Sequence, residues 1–190
     1  MNQRFCTCLL LASLAMPGCA TAPGTQAAKA KLGADVGATI ERFNRSGSVL
    51  QRFYDEAYGY AVFPSVGKGA IGIGGAYGRG ELFEQGKMVG FCDLSQGTIG
   101  LQLGGQTYSE IIFFEYKEAL DHFKTGNFAL AAQASAVALK AGVSTAADYD
   151  RGVVVFTMPI GGLMFEASIG GQQFTFEPKR PDPASSETGP

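Results

Sequence analysis

The chain has 190 residues, of which 46% are hydrophobic and 17% charged, and its formal net charge at pH 7 is −2. This length allows one domain with a proper core but hardly two, and the composition is that of a globular protein rather than a disordered one. The near-neutral charge gives no electrostatic reason to expect nucleic-acid binding. Twenty-seven glycines, fourteen phenylalanines and seven tyrosines favour a β-rich domain with many turns or bulges.

The amino-terminal segment has the pattern of a secretory signal peptide, in which one early arginine precedes an apolar run too short to span a bilayer. A glycine directly before Cys19 resembles the lipobox of bacterial lipoproteins, although Pro17 is unusual at its position. We expect a lipoprotein signal peptide over residues 1–18 and lipidation of Cys19, with ordinary cleavage after Ala22 as the alternative. Either outcome takes the mature domain out of the cytoplasm. Ala20 fits retention in the outer membrane, facing the periplasm.

The rest of the chain divides into a tether at 19–27, one domain at 28–178 and a Pro/Ser-rich tail at 179–190 that we predict to be disordered. Once the signal peptide is removed and Cys19 carries lipid, Cys92 is left without a disulfide partner, and its apolar neighbours favour a buried thiol. The single histidine, His122, lies among charged residues in a predicted helix, which favours a surface position. No group of residues has the spacing of a metal site, and we predict no cofactor.

Residues 28–57 are predicted to form a helix, because apolar residues recur at intervals of three and four. Ser46-Gly47-Ser48 interrupts the pattern, and Ser48 with Gln51 resembles a capping box that restarts the helix. At about 100° per residue, four cations lie opposite the apolar side, if the helix is continuous. They are Lys31, Arg42, Arg45 and Arg52.

Residues 60–114 read as short antiparallel strands separated by turns, and residues 116–124 as a short helix. The segment FALAAQASAVALKAG is ambiguous between helix and strand. Two or three further strands follow, with Met158-Pro159 interrupting the first pair. The predicted fold class is α+β, with a strongly curved, barrel-like, mostly antiparallel sheet packed against an N-terminal amphipathic helix and one or two short helices.

Residues 67–72 satisfy the pattern G-x-G-x-x-G of dinucleotide-binding loops. Such a loop needs a helix that begins at the glycines, whereas AIGIGGAYGRGELF carries more glycines with β-branched and aromatic residues between them. We therefore expect no nucleotide site. A strand that carries only small residues on one side allows a bulge, a sharp bend or close packing, and we expect a helix laid tightly over that side.

Two blocks, YGYAVFPSVGKGAIGIGGAYGRGELF and GKMVGFCDLSQGTIGLQLGGQTYSEIIFF, are similar to the SYLF-domain family in its bacterial lipoprotein branch. The resemblance covers about residues 30–176. It implies a compact α+β domain with no established catalytic activity. It also implies binding of phosphoinositide-type or other anionic phospholipids, and fungal relatives bind actin filaments.

Basic residues near the predicted anchor support contact with a membrane, because residues 20–54 hold five Lys or Arg and two Asp or Glu. Each such cation contributes on the order of 1 kcal/mol near an anionic bilayer. The alternative for the helix cations is simple exposure to water. Lys68, Arg79 and Lys87 form a second candidate set for lipid head groups, beside the alternative of solvated surface cations.

No combination of residues supplies both a nucleophile and a base, since Ser65 and Ser109 lack a histidine, and Glu110 and Glu115 point to opposite faces of a strand. The leading hypothesis is a non-catalytic, lipid-anchored envelope protein whose domain binds membrane phospholipid. The alternative is a periplasmic or surface domain that binds a protein partner. No nucleic acid or nucleotide is expected as a partner.

Overall fold

The computed structural model describes residues 21–46, 49–126, 129–131, 136–138 and 148–180. The predicted signal peptide, Cys19 and most of the predicted tail lie outside these residues. The elements in chain order are α1 (Gln26–Ser46), α2 (Val49–Glu56), β1 (Gly59–Glu84), β2 (Lys87–Phe114), α3 (Lys117–Lys124), β3 (Ala129–Ala131), β4 (Ala136–Ala138) and β5 (Val153–Pro178).

The helices form where the apolar spacing predicted them. Helices α1 and α2 cover the predicted helical region, and residues 47 and 48, where the interruption and the cap Ser48 were predicted, lie outside the described residues. Val36 and Phe43 of α1 are buried, as their helical spacing requires. The predicted short helix at 116–124 is confirmed by α3.

The sheet has the order β1-β2-β5-β3, with β4 paired in parallel to β5 and the other pairs antiparallel. The prediction of many short strands was wrong, because β1, β2 and β5 are continuous strands of 26, 28 and 26 residues. Their glycines lie at bends within strands rather than at turns between them. Pro159 does not interrupt β5, because a register shift beside Tyr108 lets the strand continue past it.

The long strands bend so sharply that the first and last parts of β1 lie against each other. A Cβ atom built on Gly80 would stand 2.2 Å from the carbonyl oxygen of Val62, and one on Gly78 would stand 2.7 Å from a Cγ of Val66. Only a residue without a side chain allows this approach. The α+β class is therefore confirmed, and the sheet is strongly curved without closing into a barrel.

Two apolar clusters stabilise this arrangement. The inner cluster, enclosed by the folded sheet, includes Phe63, Leu94 and Phe174, and α3 contributes Phe123 to it. The outer cluster joins α1 and α2 to one face of the sheet and includes Phe43, Phe53, Val62, Ile111, Phe113 and Phe156. Burying a phenylalanine side chain contributes roughly 1.5–3 kcal/mol, so these clusters are the main source of stability.

The small-residue side of β1 faces the inner cluster, which combines other parts of the sheet with α3. Ala76 belongs to the inner cluster, and Ala70 is 9% exposed. The apolar side chains that α1 buries contact Val62, Ile111 and Phe113 instead. The small residues allow the sheet to fold onto itself. The glycines therefore have the steric role that the sequence predicted, and the element packed closely against them is another part of β1.

Candidate functional site

The most unusual surface of the described part of the chain is a group of exposed aliphatic side chains where the long strands bend. We call it the apolar bend, and define it as Ile71 and Ile73 of β1 with Ile99, Leu101 and Leu103 of β2. Their side chains are 63–83% exposed. In a stable domain such residues normally enter the core, and a contiguous exposed apolar surface marks a site of interaction.

The register of the sheet brings these side chains together. Ile71 pairs with Leu103, and Ile73 pairs with Ile99, so the residues occupy neighbouring rows across two strands. Gly72 has a φ of +76°, a left-handed conformation that an L side chain rarely adopts, and the register shifts at this point. Gly72 therefore provides the irregularity that lets β1 turn around the bend and carry both isoleucines.

The bend is also almost free of charge. Glu166 is the only Asp, Glu, Lys or Arg in three segments of the sequence that form the bend and its surroundings, namely residues 69–78, 94–109 and 158–176. The inner side of the bend is filled by Ala70, Ala76 and Tyr108, so the exposed aliphatic groups stand on its outer, convex side. A convex apolar ridge of this kind fits a soft apolar medium or a concave partner.

Polar residues lie beside the apolar bend and include two of the predicted lipid-binding cations. Arg79 Nε donates a hydrogen bond to Asp93 Oδ1 at 3.1 Å, and the Tyr77 hydroxyl donates to the same oxygen at 3.0 Å. The charge of Arg79 is therefore neutralised by a neighbour. Lys68 lies at the start of the bend and is half-buried, whereas Lys87 is exposed at the β1–β2 turn, far along the sheet.

The four predicted helix cations do not form one basic face. Arg42 is half-buried and turned towards the sheet, because its Nη2 donates hydrogen bonds to Thr39 Oγ1 at 2.9 Å and to Ser109 Oγ at 3.0 Å. Its predicted outward orientation was wrong. Lys31 forms an exposed ion pair with Asp35 at 2.6 Å. Arg45 is exposed at the end of α1.

Arg52 lies on the surface of α2, where its guanidinium stands 4.7 Å from the ring centroid of Phe53 and 4.0 Å from a carboxylate oxygen of Glu56. Arg45 and Arg52 are thus the helix cations most available to an anionic surface. The outer cluster joins α1 and α2 to the face of the sheet that carries Val62 and Ile111, and Lys68 lies further along β1.

The described residues of the predicted tether are docked on the sheet. Thr21 and Pro23 are buried. The hydroxyl groups of Thr21 and Thr175 lie 3.1 Å apart within hydrogen-bond distance, and the backbone N–H of Ala22 donates to Glu177 Oε2 at 2.9 Å. The chain therefore joins the domain near the carboxyl end of β5, at the end of the sheet remote from the bend.

The buried side chains of Ser109 and Glu110 form hydrogen bonds to other parts of the fold. Ser109 Oγ donates to the carbonyl oxygen of Pro64 at 2.7 Å and accepts from Arg42, so its hydroxyl is fully engaged. Burial raises the pKa of Glu110 to about 7, and Gln172 donates a hydrogen bond to its Oε2 at 2.9 Å.

Cys92 is buried and unpaired, as predicted, and burial raises the pKa of its thiol. His122 is exposed, also as predicted.

Residues 67–72 lie within β1, so the helix that a dinucleotide loop requires does not begin there. Within the described ranges, no group of three or more His, Cys, Asp or Glu side chains could hold a metal ion. None of the described helices is long and apolar enough to cross a membrane.

The sequence pattern does not predict the apolar bend as a surface. Ile71 and Ile73, like Ile99, Leu101 and Leu103, alternate with small or polar residues, which normally indicates one buried face of a strand. The signal that distinguishes the bend is the lack of charge on both sides of the strands. Segments as long as 94–109 without a charged residue are unusual for strands with one face in water.

The exposed apolar bend is the kind of surface that binding domains present. Residues 95–179 match the family model described as Ysc84, Las17-binding protein actin regulator, which is the SYLF domain. This match confirms the resemblance to the SYLF family. It includes residues 95–114 of the second sequence block, and the first block lies outside the matched residues.

A curated relative, "Beta cell expansion factor A" of Aeromonas veronii, is 29% identical over 139 residues. The alignment covers 72% of this chain and 52% of the relative. The chain thus spans about half the length of the curated relative that it matches. The family is one of binding domains, known for lipid or actin binding.

Proposed function

We propose that this protein is a lipid-anchored envelope protein whose SYLF domain binds phospholipid bilayers and catalyses no reaction. The observation that carries the proposal is the apolar bend. Five aliphatic side chains stand exposed on a convex surface with very few charges near them, and the acyl region of a bilayer is a partner that needs neither a fixed shape nor polar contacts.

The cations give a second, weaker contribution. Arg45 and Arg52 are exposed on the helices, and Lys68 lies beside the bend. Each basic residue close to an anionic bilayer contributes about 1 kcal/mol, and salt screens this attraction. Arg42 and Arg79 contribute less in this proposal, because Ser109 and Asp93 already receive their hydrogen bonds.

The anchor part of the proposal rests on Cys19 and the signal-like segment before it. Lipidation there would place acyl chains two residues before Thr21, which docks on the sheet. The proposed location is the outer membrane, facing the periplasm. Mass spectrometry of the mature protein tests this part, because the lipid adds its own mass to Cys19, whereas cleavage after Ala22 gives an unmodified chain that begins at Pro23.

Vesicle flotation tests the binding part. The mature chain with Cys19→Ser cannot carry the anchor, and we expect it to float with vesicles of phosphatidylethanolamine and phosphatidylglycerol. Arg45→Glu with Arg52→Glu should weaken this binding at low salt and change it little at high salt. A Cys19→Ser chain that stays at the bottom of the gradient at all salt concentrations would remove bilayer binding from the proposal.

A protein partner is the second candidate function, favoured by the description of the matched family as a Las17-binding actin regulator. The apolar bend would then enter a concave apolar surface of that partner. Vesicle flotation separates the two functions, since a domain that uses the bend only for a protein partner remains unbound when vesicles are the sole addition.

A further inference from the structure

The docked amino-terminal segment and the apolar bend lie at opposite ends of the same part of the sheet. Thr21 bonds to Thr175 of β5, which pairs with Asp93 of β2. Ile99 lies six residues further along β2 than Asp93. At about 3.3 Å per residue, roughly 20 Å of strand separates the docking point from the nearest part of the bend.

Little free chain lies between the docking point and the proposed anchor. Cys19 is two residues before Thr21, and two residues span at most about 7 Å. The hydrogen bond from the Ala22 N–H to Glu177 and the burial of Pro23 fix the following residues. A lipid on Cys19 would therefore hold the carboxyl end of β5 close to the membrane that contains it.

A single bilayer could hold both ends only if it ran along this part of the sheet. The surface between them carries the ion pair of Arg79 with Asp93, and Glu177 lies beside the docking point. Asp93 is paired with Arg79 and Glu177 with Arg180, so these carboxylates do not repel a bilayer, but a bilayer along this surface would take the Arg79–Asp93 ion pair out of water, which costs free energy. Entry of the uncharged bend alone avoids this cost and leaves the docking point roughly 20 Å away, farther than the two residues before Thr21 can reach.

We propose that the anchored protein bridges two membranes, with its lipid in one bilayer and the apolar bend in the surface of a second. This inference rests on the proposed function, because it needs both the lipid on Cys19 and bilayer binding by the bend. The partner is a bilayer rather than a second copy of the chain, because two convex ridges cannot bury each other well, whereas acyl chains adapt to either shape.

The experiment measures capture of one vesicle population by another. The lipidated protein is reconstituted into vesicles, which are mixed with fluorescent, protein-free vesicles of phosphatidylethanolamine and phosphatidylglycerol. We expect capture several-fold above that of protein-free vesicles. Ile99→Gln with Leu101→Gln should abolish capture without changing retention of the lipidated protein, and Ile99→Met with Leu101→Met should preserve it.

Three results would overturn the bridge. The first is no capture although the Cys19→Ser chain binds vesicles, which would mean that anchor and bend use the same bilayer. The second is capture only when both populations carry protein, which would mean that copies of the chain pair with each other. The third is undiminished capture by the glutamine variant. A Cys19→Ser chain that binds no vesicles contradicts the proposed function itself, so the two failures are distinguishable.

Discussion

Glu110 of β2 and Gln172 of β5 form a hydrogen bond of 2.9 Å between parts of the chain that are 62 residues apart. Glu110 pairs with residues of the first part of β1 and β5, whereas Gln172 pairs with Gln96 at the other side of the bend. The bond therefore links the two parts of the folded sheet behind the apolar bend. The Oε1 atom of Glu110 is buried and has no hydrogen-bond partner in the described residues.

This carboxyl group makes stability depend on pH. Burial raises its pKa from 4.5 to about 7, so the folded state binds its proton more tightly than the unfolded state. Its contribution to the free energy of unfolding is most favourable below about pH 4.5 and is lost as pH rises through 7. The total change is on the order of 3 kcal/mol.

We expect Glu110→Gln to remove this dependence, because the amide keeps the shape of the side chain and cannot ionise. Urea unfolding near pH 5 and near pH 8 measures the difference between wild type and variant. The variant should be more stable than wild type near pH 8, and Glu115→Gln, at an exposed position, should behave as wild type does. Equal slopes in wild type and Glu110→Gln would show that Glu110 ionises normally.

Gly80→Ala should destabilise the fold, because a Cβ atom there would stand 2.2 Å from the carbonyl oxygen of Val62. Backbone must move to accept it, and overpacking of this kind costs about 1–3 kcal/mol. Gly69→Ala is the matched control, since a Cβ on Gly69 meets no atom within 4 Å. Thermal unfolding should show a lower Tm for the first variant and an unchanged or slightly higher Tm for the second. The reverse order would contradict the close packing of the two parts of β1.

Arg42→Ala should lower the free energy of unfolding by about 1–2 kcal/mol, because it removes the hydrogen bond to the buried hydroxyl of Ser109. Arg45→Ala, at an exposed position of the same helix, should change it by less than about 0.5 kcal/mol. Chemical denaturation of both variants tests this difference. Equal effects would mean that Arg42 is a surface cation, as its helical spacing suggested, and would restore it to the set available for lipid head groups.

Local patterns predicted the helices well, since α1 and α3 follow from the spacing of the apolar residues. The continuous length of the strands did not follow, because a glycine in a sequence indicates a turn and a bend within a strand equally well. Gly72 allows a bend in β1. Gly80 allows a close contact with Val62, which is distant from it in sequence. Only the folded structure shows which of the two each glycine provides.

The candidate site was predictable only in part for a similar reason. The orientation of Arg42 depends on Ser109, which lies 67 residues away and which the spacing of the helix does not indicate. The isoleucines of the bend have the spacing of core residues, and tertiary curvature alone turns them to the outside. The absence of charge along residues 94–109 was visible in the sequence and would have been the useful signal.

The most direct test of the account is vesicle binding by the Cys19→Ser chain with Ile71→Gln and Leu101→Gln. Both residues are exposed, so the fold should be retained, and circular dichroism checks this. Each aliphatic group that enters a bilayer contributes about 1.5 kcal/mol, so the partition coefficient in flotation should fall about tenfold per residue. Ile71→Met with Leu101→Met should bind as the parent chain does. Unchanged vesicle binding by the folded glutamine variant would contradict the central role of the apolar bend.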